Sequence, residues 1–113
     1  INAEYGEMKL PLMPLADLNK NNRIHIVAFN VVFDVTAYIT KHPGGKLLLK
    51  AQTEDGFLCM ITRHKRHPQL LEQRLASLAV GVLPVSERRN LVEELADYED
   101  NFVVQMFQRL FWQ

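Results

Sequence analysis

Cysteine is almost missing: Cys59 is the only one in 113 residues. That excludes an internal disulfide, a thiolate-rich zinc site and the Cys-x-x-Cys-His signature of covalently attached haem. Cys59 itself reads as a small buried apolar residue. Net charge is also missing, with 13 Lys and Arg against 13 Asp and Glu. No dense basic run with interleaved aromatics occurs, which argues against nucleic acid as a partner. Long apolar runs are absent too. The strongest, Ile24 to Val35, contains His25 and Asn30 and falls short of a membrane span. No charged n-region followed by an apolar stretch opens the chain, so no retained signal peptide is expected. Opening on Ile1 rather than Met, the chain reads as a processed protein or a piece of a longer one.

What is present is a globular composition. Hydrophobic residues make up 48% and charged residues 23%, enough for one compact core and too apolar for wholesale disorder. The balanced charge hides an asymmetry. Residues 15–83 carry nine Lys or Arg against five acids, whereas residues 84–113 carry six acids against three bases. A basic body with an acidic tail bears on partners, not on fold.

Residues 1–12 read as an extended lead-in to the prolines of KLPLMP, with one helical turn at Leu15–Leu18 and a polar loop LNKNNR. Ile24–Phe29 and Val31–Val35, rich in β-branched residues, predict two strands joined by a tight turn at Phe29-Asn30. Thr36 is expected to cap a short helix over Ala37–Thr40, which Pro43-Gly44-Gly45 stops. Short helices are expected at Lys46–Gln52, Phe57–Arg63 and Gln69–Leu75, with Pro68 suited to the first turn of the last. A closing strand over Leu78–Leu83 follows. In the tail, Asn90-x-x-Glu93 resembles a capping box. Leu91, Leu95, Tyr98, Phe102, Met106 and Leu110 then recur at helical spacing. The expected organisation is an α+β core over residues 13–85 with an acidic amphipathic C-terminal helix over 86–113. The apolar second half, FVVQMFQRLFW, suits packing on a domain; the alternative is a partner helix or a membrane surface.

The most informative stretch is His42-Pro43-Gly44-Gly45. A histidine on such a loop stands outside regular structure, and the glycines let backbone pass close to its ring. His64 and His67 follow two apolar helical segments. Two imidazoles facing across an apolar slot are what a six-coordinate haem iron requires. A zinc site from His25, His64 and His67 is the rival, but it lacks a fourth ligand.

The string VVFDVTAYITKHPGG resembles the cytochrome b5 domain family over about Met13 to Leu83. Phe33, Asp34, Val35 and Thr36 match its aromatic-Asp-hydrophobic-Thr strand end, and His42 its axial histidine. Asp55-Gly56 and then His64, nine residues after Asp55, match the second-ligand spacing. Leu78-Ala79-Val80-Gly81-Val82-Leu83 is similar to the closing strand. The resemblance implies a cytochrome b5-like fold: a small mixed sheet with short helices forming a pocket for non-covalent haem b. His42 and His64 would ligate the iron, with His67 the alternative to His64. Pro43, Gly44, Gly45, Ala28, Val35, Tyr38, Leu48, Leu49, Met60, Leu71 and Leu75 would line the pocket; for Lys65 the readings are a propionate partner or a solvated lysine. The chain also departs from the family. One residue is missing between His42 and Asp55, His25 stands where many members have tryptophan, Arg63 replaces a hydrophobic residue, and about two extra residues precede Gly81.

By this resemblance the chain is an electron carrier rather than an enzyme. It would exchange single electrons with a flavin reductase donor and an acceptor, either free or as one module of a larger redox protein. Family members often dock through acidic rims. Here Lys46, Lys50, Arg63, Lys65 and Arg66 imply an acidic docking face on the acceptor, or the acidic segment 87–100 folding back. The expected compartment is the cytoplasm. The alternative is a haem-free interaction module on the same fold.

Overall fold

The computed structural model describes residues 9–41 and 68–112. Three antiparallel strands form the sheet in the order β1 (His25–Ala28), β2 (Val31–Asp34), β3 (Ala79–Val82). Around them stand α1 (Thr36–Lys41), α2 (Pro68–Leu78), α3 (Leu91–Glu94) and α4 (Phe102–Leu110). The architecture is α+β. The lead-in adds a parallel contact, Leu12 beside Val82, so the sheet is mixed at that edge.

The β1–β2 hairpin forms where β-branched residues flank a two-residue turn, with Ala28 opposite Val31. Phe29 (φ 50°) and Asn30 (φ 66°) both take positive φ, as a type I′ turn requires. In LNKNNR the same backbone region falls on Asn19, Asn21 and Asn22, the residue type that tolerates it best after glycine. Pairing of Ile26 with Phe33 and Ala28 with Val31 puts these four on one face, which joins the main core. His25, Val27 and Val32 take the other face. Between Val32 and Phe33 the β2–β3 register slips, so Ala79 pairs with Phe33 and Val80 is passed over.

Gly81 earns its place by close approach. A Cβ there would lie 2.8 Å from Met13 Cβ and 3.0 Å from the Pro11 carbonyl oxygen. The lead-in runs this close because Met13 N–H donates to Val82 O (2.8 Å) and Val82 N–H to Pro11 O (2.9 Å).

Three sequence expectations need correcting. Thr36 is the first helical residue rather than the cap: Asp34 Oδ1 accepts from its amide, and its own hydroxyl accepts from Ile24 N–H. The helix expected to end at Leu75 continues to Leu78, because Leu71, Leu75 and Leu78 keep one apolar stripe against the core. The tail is not one helix. After α3 comes a 3₁₀ turn, Ala96–Tyr98, and Asn101 starts α4 by accepting from Val103 N–H. A continuous helix would stack Glu93, Asp97 and Asp100 as like charges three and four apart, which disfavours it.

Candidate functional site

One carboxylate ties the hairpin to the helix that leads toward His42. Asp34 Oδ1 accepts from the Thr36 hydroxyl (2.8 Å) and amide (3.1 Å), and Oδ2 from Arg23 Nε (2.8 Å). Partial burial works to raise its pKa, but the Thr36 and Arg23 hydrogen bonds and the Arg23 charge outweigh that and hold it below the usual value. Val35 N–H donates to Ile24 O, and α1 starts at the next residue. The Asp-hydrophobic-Thr sequence is thus a joint between strand and helix, and it fixes the start of α1, which ends at Lys41, one residue before His42 in sequence.

Of the expected pocket residues, Ala28, Val35, Leu71 and Leu75 are buried in one continuous apolar cluster, with Tyr38 packed against it. The Arg74 guanidinium carbon lies 5.2 Å from the centre of the Tyr38 ring, a cation–π contact between α2 and α1. β1, the β2–α1 joint and α2 therefore bring five expected wall residues together. The wall is apolar, the chemistry that the faces of a porphyrin require, and among the described residues no buried side-chain polar atom lacks a partner. His42, Pro43, Gly44, Gly45, Leu48, Leu49, Met60, His64, Lys65 and His67 lie outside the described residues, as do Lys46, Lys50, Arg63 and Arg66 of the expected basic rim.

The same cluster holds residues that the resemblance did not single out. Phe107 and Phe111 of the tail meet Phe33 edge-on, at 6.0 and 5.8 Å between ring centres. Phe107 also meets Phe29 at 5.0 Å, and Trp112 donates its indole N–H to Phe29 O at 3.2 Å. Arg109 pairs with Glu72, joining α4 to α2. Because Phe33 shares a sheet face with Ile26 and Ala28, the tail packs on the face that carries the pocket wall. The wide apolar side of FVVQMFQRLFW was the signal for this, but it did not say what the helix would cover.

The opposite face bears an open cleft of about 470 Å³ lined by residues including Leu15, Leu18, His25, Val27, Leu83 and Arg89. Here His25 is buried, its Nδ1 accepting from Asn19 N–H (2.9 Å) and its Nε2 lying 3.8 Å from Asp34 Oδ2. Its ring is thereby built into the hairpin. Among the described residues no group of three or more His, Cys, Asp or Glu could hold a metal ion, and no helix is long and apolar enough to cross a membrane.

Residues 13–84 match the family model described as the cytochrome b5-like heme/steroid binding domain. The chain belongs to that family. The match takes in the sheet, the Asp34–Thr36 joint, α1 and α2, together with the His42 and His64 positions; the packed tail lies beyond it. No curated protein and no solved structure gives a significant match. Family membership identifies a binding domain for haem or steroid.

Proposed function

We propose that this chain is a haem b domain that carries single electrons, with His42 and His64 as axial ligands and His67 as the alternative to His64. The observation that supports this reading is the match to the family model over residues 13–84, a stretch that includes the HPGG sequence. In sequence His42 directly follows α1, which the Asp34–Thr36 joint ties to the end of the central strand β2. Haem held by two imidazoles supplies a one-electron couple with little ligand rearrangement and no open position for a substrate. Ala28, Val35, Leu71 and Leu75 would exclude water from its faces. Such a domain relays electrons from a flavin reductase to an acceptor and is not itself an enzyme. Lys46, Lys50, Arg63, Lys65 and Arg66 favour an acceptor with an acidic docking face, so association with it slows as salt is added. A single cysteine suits a reducing compartment, and we place the chain in the cytoplasm.

The continuity of the tail with the wall residues favours a second reading: a haem-free interaction module in which the tail completes the core. An absorption spectrum separates the two. Protein reconstituted with hemin is expected to show a sharp Soret band and split ferrous bands, and to lose them in His42→Ala. Separate His64→Ala and His67→Ala variants then identify the second ligand. A folded protein that stays colourless refutes the electron-carrier reading.

A further inference from the structure

The tail lies outside the matched family stretch, yet it is built into the face that carries the pocket wall. Three kinds of contact fasten it. Phe107 and Phe111 stack edge-on against Phe33 of β2. Trp112 hydrogen-bonds the hairpin turn at Phe29 O. Arg109 pairs with Glu72 of α2. The first two anchor the tail to the sheet, and the third reaches across to a helix. That helix begins at Pro68, one residue after His67 and four after His64. Its inner side supplies Leu71 and Leu75 to the wall, and Glu72 lies one residue along from Leu71.

We propose that the tail is a clamp: α4, seated on the sheet, holds α2 through Arg109 and Glu72 and so sets how firmly α2 keeps its wall residues Leu71 and Leu75 against a bound haem. This rests on the haem reading above. Arg109 and Glu72 are positioning residues, because they act through α2 and not on the iron. The ion pair is suited to such a role. It is half-exposed, with side-chain accessibilities of 48% and 31%, so altering it leaves the aromatic stack intact. An exposed pair also adds little to global stability, so the local hold on α2 can be varied while the protein stays folded.

The test uses the full chain and a charge swap. Hemin-loaded wild type, Arg109→Glu, Glu72→Arg and the double variant are mixed with excess apomyoglobin, and haem loss is followed by absorbance. Each single variant places like charges together and is expected to lose haem about fivefold faster, with a larger high-spin share in its ferric spectrum. The double variant restores the pair and is expected to return within about twofold of wild type. Unchanged rates in the single variants overturn the clamp. Slower loss overturns it as well, because it would mean that the tail competes with haem for the sheet face. If wild type takes up no haem, the haem reading fails by itself, and the hold on α2 is read by amide exchange over residues 68–78 of the haem-free protein. Exchange about fivefold faster in Arg109→Glu and restored in the swap supports the hold; equal exchange in all four overturns it.

Discussion

Phe107→Ala tests whether the tail belongs to the folding unit. The Phe107 side chain is fully buried and packs against Phe29, Phe33, Phe111 and Trp112 at 5.0 to 6.0 Å between ring centres. Truncation loses the transfer energy of the ring, leaves a cavity and removes these edge contacts, together about 4 kcal/mol. The site is unable to collapse cheaply, because its neighbours are held by the sheet on one side and by the Trp112 hydrogen bond on the other. Trp112 is the sole tryptophan and sits 5.4 Å from Phe107, so its fluorescence reports directly on this contact. With an m-value of about 1.5 kcal/mol/M, the urea midpoint should fall by about 2.7 M with the slope unchanged. Tryptophan fluorescence and far-ultraviolet circular dichroism should give the same midpoint. A shift below about 0.5 M, or a fluorescence change well before the loss of β-structure, would show a tail that folds apart from the domain.

Three further outcomes are expected. Gly81→Ala drives a methyl against Met13 Cβ and Pro11 O, so the lead-in should leave β3 at a cost of about 2 kcal/mol, with the Met13 and Val82 amides losing protection from hydrogen exchange; amides that stay protected refute this. The Asp34 carboxyl has a lowered folded-state pKa, so its stabilisation is complete above its ordinary value of 3.8 and is lost as pH falls through the folded value. Asp34→Asn should therefore melt lower than wild type at neutral pH, with the gap closing in thermal scans toward about pH 2; a gap that widens in acid contradicts the assignment. Neutralising Lys65 and Arg66 should lower the haem midpoint potential in a redox titration, because nearby cations favour the less positive ferrous centre. A rise would reverse the sign of the argument.

The parts legible in the sequence are those ruled by local chemistry. The hairpin was readable because β-branched runs flank Phe29-Asn30, and Pro68 announced the start of α2. The HPGG motif and its flanks pointed to the family that the chain matches. Elsewhere competition among contacts decided the outcome. Thr36 looked like a cap, but Asp34 two residues earlier was better placed for the helix amide, which left the hydroxyl for Ile24. The tail's apolar spacing carried across a break, since spacing records a face and is blind to like-charge crowding at Glu93, Asp97 and Asp100. Of the candidate site, Ala28, Val35, Leu71 and Leu75 share one apolar cluster. The seat of the tail on that wall was illegible, because nothing local in Phe107 or Trp112 names Phe33 or Phe29 as its neighbour.

The hairpin tip has a consequence for how the molecule is assembled. Phe29 O takes the Trp112 indole across 83 residues, and the Asn30 side chain clasps the Arg89 backbone, accepting from its N–H and donating to its carbonyl, across 59. Leu83 N–H closes on Asn30 O. These links join an early turn to segments made much later, so during synthesis the tip waits unfinished until Trp112 has left the ribosome. The hairpin can form first from neighbouring residues, but its locking must be a late event, governed by closure of a loop nearly as long as the domain.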